Sequence, residues 1–413
     1  MNLKMKKIIF IILDGLGDKP VKNFNEETPL EHAKTPNMDK LAREGATGIT
    51  HVLGKGIRPN SDEAHLTLFG YDVRKDYPGR GPIEAAGVGV KLEQGDVAIR
   101  VSLATVDKEL RVKDRRAGRI ESTEEFSRVL NGITIDRVKF IVKSGTGHRM
   151  VIVMRGKGLS NMISNSDVHY VSESKVVEDW INHKVNTIKP LDDSKEAKFT
   201  AKVLQKFLEK AHEILEKNPL NIKREKQGKL KGNYLLTRGP GYYKQLKPFK
   251  EKYGLKSACI AGAGLYKGLG VMAGMKLIDV KGATGMLNTD VKAKFEKSKE
   301  KIKDYDFIFV HVKPTDIFGE NGDYEGKKKF IEKIDKALKV LMDFDGIIAI
   351  TGDHSTPCAN KDHSGDPVPV LIHGGNVEAD SVKKFSEKEC RKGSLGEIFG
   401  RDYMRKVLGL ARK

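Results

Sequence analysis

The chain has 413 residues, too many for one small core, and its 38% hydrophobic and 32% charged content describes a folded globular protein rather than a disordered one. Its 75 basic and 56 acidic residues leave a net charge of +19, but lysine alternates with glutamate in stretches such as KAKFEKSKEKIKD. No compact basic-aromatic module appears, so the charge reads as a solvated surface and excludes a nucleic-acid partner.

The cysteines Cys259, Cys358 and Cys390 form no CxxC pair, which argues against a disulfide framework or a zinc ribbon and fits a reducing cytoplasm. In chain order, the first element is the continuous apolar run in KKIIFIILDGLGD. It predicts a buried parallel strand and is too short for an export signal or a membrane span. TPNMDKLAREG predicts a helix, with Thr35 as cap, Pro36 at the first position and Gly45 as the stop. In RPNSDEAHLTLFGYD, Ser61 precedes two acids and an apolar helical pattern, which predicts Ser61 as an N-cap.

From about Val90 to about Pro190 the pattern changes. DVAIRVSLATVD, VKFIVKSGTG and HRMVIVMRG predict strands joined by short turns, hence an inserted α+β domain over 90–190. The next helix carries Phe199, Val203, Phe207, Ala211 and Ile214 on one stripe and is expected to return the chain to the main domain, 1–89 with 191–413. Strands follow at SACIAG, DFIFVHV, GIIAIT and PVPVLI, separated by helical patterns such as YEGKKKFIEKIDKALKVLMDF. That alternation predicts an α/β class with a doubly wound, mostly parallel sheet. GAGLYKG is not a dinucleotide motif, because Lys267 occupies the third glycine position.

In such a sheet, ligands gather beyond the carboxyl ends of the strands. Asp14 ends the first strand, Asp316 follows DFIFVHV, Asp353 and His354 follow GIIAIT, and His363 precedes PVPVLI. Singly, each has an ordinary explanation as a turn, a cap or a loop residue. Together, hard carboxylate oxygens and imidazole nitrogens are the donors of a divalent Mn or Zn pair that brackets a phosphoryl group. A phosphoryl group on Ser61 would meet free N–H groups at the positive end of its helix.

LDGLGD, TPLEHAKTPNMDKLAREG, RPNSDEAHLTLFGYD, GRGPIEAAGVGV, DRRAGRI, TRGPGY and above all TGDHSTP with HSGDPVP resemble, over nearly the whole chain, the archaeal-type cofactor-independent phosphoglycerate mutases of the alkaline-phosphatase superfamily. The resemblance implies one metal on Asp14, Ser61, Asp353 and His354, with Ser61 as the phosphorylated nucleophile. It implies a second metal on Asp316, Glu320 and His363, where Glu320 stands in place of the family's histidine. Arg100, Arg115, Arg116, Arg119, His148, Arg149 and Lys267 are implied to hold substrate, since the arginine fork suits carboxylate and phosphate.

The implied activity is interconversion of 2- and 3-phosphoglycerate in the cytoplasm, in glycolysis and gluconeogenesis. It would use two divalent ions (Mn foremost; Zn, Co or Mg as alternatives) and no 2,3-bisphosphoglycerate. The insertion would act as a lid against hydrolysis of phosphoserine. The partner is the small substrate, with no nucleic acid or membrane and with a homo-oligomer left open. Competing readings are a phosphotransferase or phosphohydrolase for another metabolite, and a catalytically weak binding or regulatory paralogue.

Overall fold

The computed structural model describes residues 5–169 and 180–412. Each apolar run of the first and last thirds becomes a strand of one eight-stranded sheet. Its order is Lys276–Leu277, Ser257–Ile260, Phe307–Val312, Ile8–Leu13, Ile347–Thr351, Val368–His373, Gly45–His51 and Gly396–Phe399. Ile8–Leu13 lies at the middle, parallel to Phe307–Val312 and Ile347–Thr351, and is buried along its whole length. Only Val368–His373 runs against its neighbours on both sides. The sheet is therefore mostly parallel, as expected.

Helices cover the sheet. Tyr324–Leu338 buries Phe330, Ile331, Ile334 and Leu338 in the same core as Ile9, Ile11, Val310 and Ile350. Its spacing of apolar residues is the helical stripe read from the sequence. Pro36 does open the helix Pro36–Arg43, but Thr35 makes no side-chain cap and instead donates to Asp39 Oδ1 at 3.2 Å. Gly45 directly follows the C-cap Glu44, so the helix stops where expected. Gly45 is also the first strand residue, where a Cβ would stand 2.6 Å from the Ile372 carbonyl oxygen.

The chain divides between Tyr77 and Pro78 and between Gln245 and Leu246, so the second unit is wider than the expected 90–190. The reason lies in the long helix Lys195–Glu216, expected to belong to the main domain. Its Val203, Leu204, Phe207, Leu208 and Ala211 share a core with Ile99, Val101, Phe140 and Ile152 of the second unit's own sheet. Phe207 stacks on Phe140 with ring centroids 3.9 Å apart.

That sheet is antiparallel around Val97–Val106, which pairs with Arg149–Arg155 and with Tyr234–Tyr242; Arg149–Arg155 pairs in turn with Val138–Ser144. The strand Tyr234–Tyr242 was not predicted, because its Arg-Gly-Pro-Gly run has low strand propensity. The helix Arg80–Gly87 explains part of this composition. It packs so closely that a Cβ on Gly241 of the strand would stand 2.5 Å from Cδ of the helix residue Pro82.

Candidate metal centre

The parallel strands of the first unit end together at Leu13, Val312 and Thr351, and the next residues carry the chemistry. Asp14 N–H donates to the Val312 carbonyl at 2.9 Å, which fixes the start of its loop. Gly15 follows with φ +62°, and a Cβ there would stand 2.8 Å from Asp316 Cα. Glycine thus permits both the left-handed turn and the close approach of the Asp316 segment. Because Val368–His373 is reversed, the segment before it arrives at the same carboxyl end. That is why His363 joins the group.

Two donor sets result. Asp14, Asp353 and His354 each offer a ligand atom within 4.8 Å of the others, and so do Asp316, His354 and His363. His354 belongs to both sets, and its ring stacks on that of His363 with centroids 3.6 Å apart. Asp14, Asp316, Asp353 and His354 are buried, while His363 is half-buried and its Nδ1 lies 2.9 Å from the Pro59 carbonyl.

Ser61 Oγ is 3.2 Å from His354 Nε2. Ser61 is not the N-cap: Asn60 holds that position in extended conformation, and Ser61 is the first residue of the helix Ser61–Leu68. The Asn60 amide is turned to Glu63 Oε2 at 2.8 Å. The serine hydroxyl is therefore free of the helix and faces the histidine.

The charges are strongly coupled. Burial would raise the Asp14 carboxyl, but Lys313, His311 and His354 hold it well below the usual carboxylate range. Burial would lower His354, yet Asp353, Asp14 and Asp316 favour its cationic form and push it up to about 10. Burial pushes His311 down to about 4 and also lowers His65. Asp14 Oδ1, Asp353 Oδ2 and His65 Nε2 are buried without a hydrogen-bond partner. Buried acceptors without hydrogen bonds are costly; His354 Nε2 stands 3.4 Å from Asp14 Oδ1 and 3.3 Å from Asp353 Oδ2 without bonding either. This donor chemistry, carboxylate oxygen with imidazole nitrogen, fits Mn or Zn.

Several residues at the centre escaped sequence reading. Lys313 Nζ lies 2.8 Å from Asp316 Oδ2 and 3.3 Å from Asp14 Oδ2, bridging the two sets. Thr356 Oγ1 donates to Asp316 Oδ1 at 2.7 Å and lies 3.0 Å from His354 Nδ1. Tyr266, His311 and His65 are buried and look like ordinary core members of their elements. Only the adjacency of His311 and Lys313 to the strand end in FIFVHVKPTD could have signalled them. Glu320 sits four residues beyond Asp316 on the helix Pro314–Asn321, is exposed, and is in neither set. Lys267, on the helix Gly264–Met272, points to Asp279 at 3.7 Å.

A model of the Metalloenzyme superfamily matches residues 6–408. The chain is 46% identical over 405 residues to the 2,3-bisphosphoglycerate-independent phosphoglycerate mutase of Methanosphaera stadtmanae, covering 97% of this chain and 96% of that one. It is 45% identical to 2,3-bisphosphoglycerate-independent phosphoglycerate mutase 1 of Methanocaldococcus jannaschii, covering 99% and 98%. The chain belongs to the cofactor-independent phosphoglycerate mutase family.

The solved cofactor-independent phosphoglycerate mutase of Thermoplasma acidophilum superposes with a TM-score of 0.74 at 35% identity, covering 98% of this chain and 100% of that one. A Pyrococcus horikoshii protein superposes with a TM-score of 0.82 at 37% identity, covering 98% and 97%.

In this member of the mutase family the second unit carries its own polar cluster. Arg100 lies opposite Arg238 in the sheet, and Arg149 lies opposite Ser102 two residues along, so the three share one face. Arg100 Nε contacts Glu84 Oε1 at 2.8 Å, and Arg80 Nε contacts the same oxygen at 3.3 Å. Burial pushes His148 down to about 4, helped by Arg149, Arg116, Arg238 and Arg115.

Of the residues read from the sequence, Arg100, Arg115, Arg116, His148 and Arg149 therefore share one electrostatic neighbourhood, to which Arg80, Arg238 and Glu84 are additions. Arg115 is already engaged by Asp167 through Nε at 3.0 Å. Arg119 is exposed in a left-handed turn at φ +56°.

Proposed function

We propose that the chain interconverts 2- and 3-phosphoglycerate without 2,3-bisphosphoglycerate, by way of a phosphorylated Ser61. The observation that carries this reading is the pair of carboxylate–imidazole sets sharing His354, with Ser61 Oγ 3.2 Å from that histidine. Asp14, Ser61, Asp353 and His354 would hold one divalent ion, and Asp316, Glu320 and His363 the other, with Mn foremost. When bound, the ions stabilise negative charge on the serine and phosphoryl oxygens and orient the groups that exchange.

Ser61 Oγ attacks the phosphorus, forming the Oγ–P bond as the P–O bond to C2 of the substrate breaks. The proton given up by Ser61 is made good on the departing C2 oxygen, and the return step moves one from the C3 hydroxyl back to Ser61. The N–H groups of Ser61 and Asp62 that open the helix Ser61–Leu68 would receive the phosphoryl oxygens, while that of Glu63 is given to Asp62 Oδ1 at 3.2 Å. The glycerate reorients, its C3 oxygen attacks the same phosphorus, and Ser61 is restored. Arg100, Arg149 and their neighbours are suited to the substrate carboxylate and phosphate as bidentate donors. Phosphoserine in such a mechanism has to be kept from water, or the transfer ends in hydrolysis. No helix among the described residues is long and apolar enough to cross a membrane, which supports a cytoplasmic enzyme of central carbon metabolism.

The test is an assay of Mn-loaded protein with 3-phosphoglycerate alone, following 2-phosphoglycerate and free phosphate together. The expected result is 2-phosphoglycerate without phosphate release, abolished by chelator and restored by Mn. Stoichiometric phosphate would make the protein a phosphohydrolase, and a requirement for added 2,3-bisphosphoglycerate would overturn the reading.

A further inference from the structure

The two oxygens of the buried Asp14 carboxylate have unlike surroundings. Oδ2 faces three donors brought from two places in the chain: the Tyr266 phenol, and at the end of the strand Phe307–Val312 His311 Nε2 at 3.1 Å and Lys313 Nζ at 3.3 Å. Oδ1 is buried with no hydrogen-bond partner and lies 3.4 Å from His354 Nε2. A carboxylate torsion has a broad, roughly two-fold profile, so nothing intrinsic to aspartate distinguishes its oxygens. Here the donors distinguish them.

Tyr266 is itself held in place. It is 2% exposed, in the first turn of the helix Gly264–Met272. Its ring stacks on His311 with centroids 3.4 Å apart and planes 19° apart, and His65 packs against both rings. Lys313 Nζ approaches the phenol oxygen at 3.4 Å. Tyr266 and His311 thus form a rigid pair whose polar ends converge on one atom.

We propose that Tyr266 and His311 are positioning residues: they pin Asp14 Oδ2 so that Oδ1 is presented, already oriented, to a divalent cation shared with Asp353 and His354. This inference rests on the metal-dependent reading above. It predicts that losing either donor weakens metal binding while the fold and the second donor set persist, because ligating carboxylates depend on the groups that orient them.

The experiment is calorimetric titration of Mn alone into metal-free protein, comparing wild type with Asp14→Asn, Tyr266→Phe, His311→Phe and His311→Gln, alongside thermal unfolding of each metal-free variant. Tyr266→Phe keeps the stacked ring and removes only the hydroxyl. It is expected to bind one of two Mn equivalents at least about tenfold more weakly, with the other equivalent and metal-free unfolding unchanged. His311→Phe should behave alike, and His311→Gln, which retains an N–H donor, should recover part of the affinity. If Tyr266→Phe fails to fold, the His311 pair decides.

Wild-type Mn affinity at both equivalents in Tyr266→Phe and His311→Phe, with Asp14→Asn losing one equivalent, would overturn the positioning role alone. Wild-type protein binding fewer than two equivalents, or Asp14→Asn binding as wild type, would remove the metal reading and the positioning role with it.

Discussion

Ser61 stands one position inside its helix, with its hydroxyl turned to His354 instead of to the helix N–H groups. Removing that hydroxyl should therefore cost little stability, within about 0.5 kcal/mol, because no cap is lost. Ser61→Ala is expected to fold normally and to lose turnover by roughly a thousandfold or more, as removal of a covalent nucleophile does. Steady-state kinetics beside a denaturation curve would check both, and substantial residual turnover would exclude the covalent role.

Glu320, though exposed, shares the face of its helix with Asp316, four residues away. As a ligand it should favour a hard ion. Glu320→Gln is then expected to weaken one Mn equivalent, and Glu320→His to shift preference toward Zn. Identical Mn and Zn titrations in all three proteins would remove it from the ligand set. Asp14, Asp316, Asp353, His354 and His363 were legible because each adjoins a continuous β run. Tyr266, His311 and His65 were not, since a buried aromatic or histidine within an apolar pattern reads as packing until its polar atom is seen to converge on a carboxylate.

The loops of the centre are tied to the helix Tyr324–Leu338 by one buried cation. Lys327 Nζ contacts Asp18 Oδ2 at 2.8 Å, with the Gly17 and Thr356 carbonyls each at 3.0 Å. Lys327→Met would leave the buried Asp18 with the Lys19 and Cys358 N–H donors but without its cation, and is expected to cost about 3–5 kcal/mol in a denaturant titration. A change below about 1 kcal/mol would show that the loops do not depend on this tie. The neighbouring Glu387 accepts from Asp18 N–H at 3.2 Å and Thr28 Oγ1 at 2.8 Å, and burial pushes its carboxyl up to about 7.

With the folded value above the unfolded one, the folded state binds more protons between about pH 4.5 and 7, so stability is lost as pH rises through that window. Glu387→Gln should escape this loss. Its stability relative to wild type should grow by about 3 kcal/mol from pH 4.5 to 7.5, and a constant difference would contradict the assignment. Helix and strand types were largely readable from periodicity, whereas their partners were less so. The stripe of Lys195–Glu216 declared an amphipathic helix but not which sheet it covers, and the Gly-Pro-Gly of Tyr234–Tyr242 concealed a strand whose glycine admits the helix Arg80–Gly87: a Cβ on Gly241 would stand 2.5 Å from Pro82 Cδ.

Over the whole molecule, the parallel sheet and the family were readable because apolar runs alternate with helical stripes and because TGDHSTP and HSGDPVP are specific. The division of the chain was misplaced at both ends, at 77/78 and 245/246 instead of near 90 and 190. Composition changes gradually there, and unit membership is decided by long-range packing that no local pattern encodes. Recruiting residues from distant parts of the chain to one end of a sheet is what lets Ser61 meet His354, 293 positions later. That meeting is the centre of the proposed chemistry. Rapid quenching of the Mn-loaded protein during turnover of 3-phosphoglycerate, followed by peptide mass spectrometry across residues 59–74, tests it most directly. The expected result is the mass of one phosphoryl group localised to Ser61, absent from Ser61→Ala and lost when substrate is removed; steady turnover with Ser61 unmodified at every quench time would contradict the covalent route.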